Sequence, residues 1–178
     1  KTIEGIIKKL SISRNHDGLI EIKIKKNEAS YKSFWDSSKY DASTYGTKLL
    51  RGILKDCKFD FPKSLWTTYD CLDAILRDQK KAVVLDFFAG SGTTGHAVLE
   101  LNKKDNGKRT FILCSNIESK FVNIPKEIAY KRLEKIILGY KHTTTKREIE
   151  GIQANLNYYK LCLSKKNTSG NQNIRFEL

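Results

Sequence analysis

The 178-residue chain contains no methionine, only two prolines (Pro62 and Pro125) and four cysteines. With no Met even at position 1, Lys1 is not expected to be a native start. Cys57, Cys71, Cys114 and Cys162 are scattered, without a C-x-x-C pair or a His-rich companion. Neither a disulfide framework nor a zinc site is therefore expected, and the thiols read as reduced. There is no run of ~18 apolar residues and no leader pattern, so neither a membrane span nor export is expected, and a cytoplasmic location is. Acidic residues are in deficit, with Lys+Arg 33 against Asp+Glu 20 and a net charge of +13. That surplus favours a polyanionic partner, nucleic acid first. The length suits one domain with a core, or part of a larger one. No internal repeat is present.

What is present centres on Lys81 to Thr94, KAVVLDFFAGSGTT. Ala82 to Phe88 is a short apolar run with β-branched Val83 and Val84, and it reads as a strand buried on both faces of a parallel sheet. It is followed by a turn through Gly90-Ser91-Gly92 and a helical segment from Thr93 to Leu101. A strand, a glycine turn and a helix form the nucleotide-binding corner of open α/β sheets. The glycines adopt angles that a Cβ forbids, and they let a ligand lie on bare backbone.

Three cofactor classes use such a corner. Gly90 to Gly95 has Walker-loop glycine spacing, but His96 and Ala97 stand where Lys and Ser/Thr are needed, which excludes that loop. Gly90-x-Gly92-x-x-Gly95 formally satisfies the dinucleotide fingerprint, with Glu118 roughly ~20 residues further on. Asp86, at the strand end, suits the cationic methionine moiety of S-adenosylmethionine better than a pyrophosphate, which it would repel. Asp86-Phe87-Phe88-Ala89-Gly90-Ser91-Gly92-Thr93-Thr94 closely resembles motif I of the amino-methylating DNA methyltransferases. The resemblance implies that Asp86, Phe87, Ala89, Gly90, Ser91, Gly92 and Thr93 hold S-adenosylmethionine.

Around this corner, Leu19 to Lys25 alternates and reads as a half-solvated strand after a turn at Asn15 to Gly18. Tyr31, Phe34, Trp35, Tyr40 and Tyr45 form an aromatic-rich loop, with packing as the default role. A helix is expected from Gly46, with Leu49, Leu50, Ile53 and Leu54 on one face. Phe59 to Ser64 breaks the pattern, and Ser64 is suited to cap the next helix, which carries Leu65, Trp66, Tyr69, Leu72, Ile75 and Leu76 on one side. Asn102 to Lys108 is a polar turn. Arg109 to Cys114 reads as a second buried strand parallel to the first, and a right-handed crossover puts its end beside the glycine turn. Ser115, Asn116 and Glu118 there are candidate ribose acceptors. Pro125 opens a helix that runs to Gly139, in which Lys131, Arg132 and Lys135 are candidates for a phosphate-facing strip. Thr143 to Gly151 reads as a polar hinge, Leu156 to Leu163 as a strand, and residues 164–178 as a frayed tail.

Phe59-Asp60-Phe61-Pro62-Lys63-Ser64, about two dozen residues ahead of motif I, resembles the Phe-x-Phe/Tyr-Pro-Lys-Ser motif X of the type III modification methyltransferases. Tyr130-Lys131-Arg132-Leu133, Gly139-Tyr140 and Gly-x-x-x-Asn-Leu-x-Tyr-Tyr-Lys near the end match the same family. The resemblance implies that Lys63 and Ser64 bind the cofactor carboxylate and that Phe61 and Pro62 wall the site. It also implies a role for Glu118 on the ribose, with Asn116 second. Enzymes of this class use an Asp/Asn/Ser-Pro-Pro-Tyr/Phe loop to accept hydrogen bonds from the flipped base's amine. Pro62 and Pro125 are not adjacent, so that loop is not in this chain.

The expected identity is the carboxyl-terminal, cofactor-binding part of a type III restriction–modification adenine-N6 methyltransferase of the permuted β group. No catalytic residue lies in this chain, and no metal is expected. The expected fold is α/β, a partial Rossmann-like sheet in three α/β/α layers. Residues 1–30 would close the target-recognition region or lead in, 31–140 would form the methyltransferase core, and 141–178 an extension. Expected partners are DNA, the upstream half of the enzyme, a restriction subunit and a second copy in the full enzyme. Two rivals stay open: a non-catalytic DNA-binding or subunit-assembly module, and an NAD-type oxidoreductase half.

Overall fold

The computed structural model describes residues 10–14, 17–24, 34–116, 123–163 and 174–177. The chain divides into two units, Lys1–Trp35 and Asp36–Leu178. In the first, β1 (Leu10–Arg14) pairs antiparallel with β2 (Ile20–Ile24), in the register Leu10↔Ile24 to Arg14↔Ile20. The alternating stretch is thus the second strand of a hairpin. Its turn includes Gly18, at a φ of 77°, where glycine is the natural residue.

The second unit is mixed α/β with small sheets. Helix α1 (Leu49–Ile53) grows out of a π-helical winding, Ser43–Lys48. It is followed by α2 (Leu65–Leu76), β3 (Val83–Asp86), α3 (Thr93–Asp105) and β4 (Thr110–Leu113). A second π-helical winding, Ile124–Tyr130, with Pro125 in its first turn, leads into α4 (Lys131–Leu138). β3 and β4 are parallel, register Val83↔Thr110 to Asp86↔Leu113, as expected for strands joined through a helix.

One core gathers Leu50, Ile53 and Leu54 of the α1 region, Leu99 of α3, Ile128, Leu133, Ile136 and Ile152. A second joins Leu65 and Tyr69 of α2 to Ala97 and Leu101 of α3. Fully burying each large aliphatic side chain contributes roughly 1.5–3 kcal/mol. Two residues of the aromatic loop take the packing role: Tyr45 and Trp66 meet edge to face with centroids 6.4 Å apart, and the Tyr40 hydroxyl donates to Asp70 at 2.7 Å, whereas Phe34 is exposed and Tyr31 lies outside the described residues. Arg109 lies just before β4 and is buried. It grips Asp105 with both Nη atoms at 2.9 Å and donates to the Leu76 carbonyl at 2.8 Å, which fastens the ends of α2 and α3 to the strand. That guanidinium holds the Asp105 carboxyl below its usual range.

Four expectations need correcting. The strand pair is not buried on both faces: Val83 (63% exposed), Leu85 (51%) and Ile112 (52%) form a bare apolar face. The opposite face, with Phe111 and Leu113, packs on the core. The apolar composition had suggested two covers, but among the described residues only one face is covered. The polar hinge is a hairpin, β5 (Tyr140–Lys141) with β6 (Glu148–Ile149). It is clasped to α1 because the Thr143 N–H donates to the Gly52 carbonyl at 2.8 Å. The late strand is shorter than expected, β7 (Lys160–Leu163), and it pairs with β8 (Ile174–Glu177), so the tail is not wholly frayed. Ser64 occupies the N-cap position of α2 but makes no side-chain cap bond. No helix among the described residues is long and apolar enough to cross a membrane.

Candidate functional site

The site grows from the end of β3. Asp86 is the last residue of that strand, and its carboxylate staples the turn: Oδ1 accepts from the Phe88 N–H at 2.9 Å and Oδ2 from the Thr94 hydroxyl at 2.6 Å. Beyond the strands, Cys114 N–H donates to the Asp86 carbonyl (2.7 Å) and Ala89 N–H to the Cys114 carbonyl (3.0 Å). The start of the turn is thereby tied to the end of β4, where Asn116 lies exposed. Glu118 falls outside the described residues.

Gly90 (φ 49°) and Gly92 (φ 77°) are left-handed, and the Gly92 N–H closes onto the Ala89 carbonyl at 2.7 Å. Gly92 is the N-cap of α3, and no side-chain cap bond is made at the positive end of that helix. The third glycine has a packing role. A Cβ on Gly95 would lie 3.1 Å from Leu113 and Leu133, so its absence lets α3 settle close on β4. Ala89, Ser91 and Thr93 are buried, whereas Phe87 and Phe88 are exposed.

Phe59, at the head of the Phe59–Ser64 segment, approaches the same turn. The Phe59 ring lies 3.4 Å from where a Cβ on Gly90 would sit. Phe61 holds a left-handed φ of 52° and is 93% exposed, an unusual conformation for an aromatic residue. Lys63 is exposed. Ser64 is buried, and its Oγ has no hydrogen-bond partner at the N-terminus of α2. An orphaned buried hydroxyl is uncommon and marks a place where a partner is missing. The neighbouring lysine and the helix terminus suit an anion there. These residues fit a ligand that carries a carboxylate and lies over bare glycine backbone. Two surface grooves, ≈ 520 Å³ beside Trp66 and Tyr69 and ≈ 380 Å³ beside Cys57, Lys58 and Ile128, have no residue of the glycine turn in their walls.

Sequence reasoning missed what stands behind the turn. Arg132 does not face phosphate; it is 0% exposed. Its Nη1 donates to the Ser91 carbonyl (3.3 Å), Ser91 Oγ (3.1 Å) and Thr93 Oγ1 (2.9 Å), and its Nη2 lies 3.1 Å from His96 Nδ1. His96 Nε2 lies 3.6 Å from Glu100 Oε1. Burial pushes the His96 imidazole down to about 4, so it is neutral at pH 7, with Nδ1 accepting from Arg132 and Nε2–H facing Glu100. Burial also lowers Arg132, to about 10, which leaves it charged. The sequence did carry a signal, because Arg132 lies on the same helical stripe as Ile128 and Ile136.

The family model for N6/N4 DNA methylases matches residues 7–161. The chain is 38% identical over 105 residues to the type III restriction–modification enzyme StyLTI Mod subunit of Salmonella typhimurium, covering 58% of this chain and 16% of that protein. It is 36% identical over 125 residues to the EcoPI Mod subunit of Escherichia phage P1, covering 64% and 18%. Against the type II methyltransferase M.KpnI of Klebsiella pneumoniae it is 35% identical over 100 residues, covering 56% and 22%. The chain thus spans about a fifth of the length of these relatives.

Proposed function

The chain belongs to the family of N6/N4 DNA methylases and is homologous to type III modification subunits. From that premise we propose that it is the S-adenosylmethionine-binding, carboxyl-terminal portion of a type III adenine-N6 methyltransferase. The supporting observation is that the Phe59 ring meets the glycine turn after β3 while Ser64, five residues on, keeps an orphaned buried Oγ. Lys63 and Ser64 take the cofactor carboxylate by charge and hydrogen bond. Gly90, Ser91, Gly92 and Thr93 offer backbone, Phe61, Phe87 and Ala89 shape the walls, and Asp86 holds the turn in form while adding negative charge. Asn116 or Glu118 receives the ribose hydroxyls. Bound here, the cofactor supplies an electrophilic methyl group. The acceptor loop, Asp/Asn/Ser-Pro-Pro-Tyr/Phe, belongs to the upstream half of the enzyme, as do the strands and helices that complete a three-layer Rossmann-like sheet in permuted order. The whole enzyme acts in the cytoplasm on DNA, as a homodimer with a restriction subunit.

A thermal-shift titration with S-adenosylmethionine, S-adenosylhomocysteine, NAD and ATP tests this reading. The two S-adenosyl compounds should raise the melting point. At a concentration of ~100 times Kd, the native state gains about 2.7 kcal/mol by mass action. If NAD alone raises it, the oxidoreductase rival replaces this reading. If nothing does, repeating the titration with the upstream half added separates an incomplete site from a non-catalytic module. Without that half, the chain should transfer no tritiated methyl group to duplex DNA; incorporation by the purified chain would refute the division of labour.

A further inference from the structure

A buried arginine with no carboxylate partner among the described residues needs a reason. Arg132 is fully buried on the stripe Ile128–Arg132–Ile136, where a leucine would fill the space without desolvating a charge. Among the described residues its bonds go to neutral groups: the Ser91 carbonyl, the Ser91 and Thr93 hydroxyls and the His96 imidazole. Three of these four acceptors belong to the glycine turn. The same helical run touches the turn a second time, because Ala129 lies 3.3 Å from where a Cβ on Gly92 would sit. What the guanidinium adds beyond a leucine is therefore spent mainly on the turn, with His96 taking the remaining bond. It cross-ties the carbonyl and two hydroxyls of a segment that left-handed glycines leave free to move.

We propose that Arg132 is a positioning residue for the cofactor, holding the Ser91–Thr93 turn in its binding form from behind, with His96 and Glu100 orienting the guanidinium from its far side. The inference rests on the S-adenosylmethionine reading for its effect on binding, but its effect on the turn stands independently. Planarity matters here: Nη1 and Nη2 diverge toward the turn and toward His96, a fork that a lysine ammonium does not reproduce.

The test uses the full chain and the variants Arg132→Lys, Arg132→Met and Thr93→Val, with two readouts. Amide hydrogen exchange should speed up at least tenfold at residues 90–95 in each variant, while amides in α2 keep their protection. S-Adenosylhomocysteine affinity, measured by calorimetry with the upstream half present if the chain alone does not bind, should weaken about tenfold. In the double variant Arg132→Lys/Thr93→Val the loss should fall short of the sum of the two singles, because both remove the same Arg132–Thr93 bond. Unchanged exchange at 90–95 in folded variants overturns the proposal. So does faster exchange spread evenly over the core, which marks a merely structural arginine, and so do additive losses in the double variant. Should Arg132→Met fail to fold, Arg132→Lys and its double variant with Thr93→Val still decide, because Thr93→Val by itself also removes the 3.2 Å bond between the Ser91 and Thr93 hydroxyls. If S-adenosylhomocysteine fails to bind the wild type with the upstream half present while exchange responds as expected, the cofactor reading fails and the brace stands.

Discussion

Lowering the pH from 6.5 toward 4 should destabilise the folded chain by on the order of 3 kcal/mol through His96 alone. The imidazole is buried in the folded state, where its pKa falls to about 4 from the ordinary 6.5, chiefly by loss of hydration. Arg132 pushes in the same direction, and Glu100 opposes it. The sign follows from proton counting. Between those two values the unfolded chain binds a proton on this side chain and the folded chain does not. Acid therefore favours unfolding across that window, and stability is fully present above 6.5. Glu100 adds a smaller loss at lower pH, because its carboxyl is held below its usual value by the hydrogen bond from His96. Urea denaturation at a series of pH values measures the effect, and His96→Gln is the control, since an amide accepts and donates without titrating. If the variant keeps the wild-type slope between pH 6.5 and 4, His96 is not its source.

Gly46→Ala should lower the melting point by several degrees, although a helix interior ordinarily gains up to ~1 kcal/mol from that exchange. Gly46 is buried in the π-helical winding before α1, and a Cβ there would collide with the Pro62 carbonyl oxygen. The Pro62 carbonyl carbon, at 3.2 Å, and the Lys63 carbonyl oxygen, at 3.3 Å, close off any sideways escape. All three obstacles are backbone, so relief requires moving the whole Phe61–Ser64 segment. Overpacking of this kind costs roughly 1–3 kcal/mol, and each kcal/mol is worth about 2–4 °C in a chain of this size. Displacing Lys63 and Ser64 should also abolish the thermal shift with S-adenosylhomocysteine. A raised melting point would mean that helix propensity outweighs the contact.

The glycine corner was legible in the sequence because its meaning lies in consecutive residues: strand, left-handed turn and helix are all local. The parallel pairing of β3 with β4 followed from the helix between them. What could not be read depends on contacts distant along the chain. Arg132 looks like a surface cation on an amphipathic helix until the turn, far earlier in the sequence, is brought against it. The Thr143–Gly151 stretch has the composition of a hinge, yet it folds as a hairpin because the Gly52 carbonyl and Tyr140↔Ile149 pairing receive it. Ser64 carries the usual helix-cap signature, and only the structure shows its hydroxyl unspent. The strand β3 gave composition without surroundings: Val83 and Leu85 are written for a covered sheet, and nothing in a strand says who supplies the cover.

That bare face has a colloidal consequence. A charge of +13 keeps copies of the chain apart at low ionic strength, while Val83, Leu85 and Ile112 offer them an apolar place to meet. Salt shortens the reach of the repulsion, from ~10 Å at 0.1 M to ~3 Å at 1 M, and leaves the apolar attraction intact. Salt also weakens the hold of basic side chains on phosphate. Concentrated salt should thus favour self-association through that face and dilute buffer oppose it, a trend that light scattering across a salt series measures.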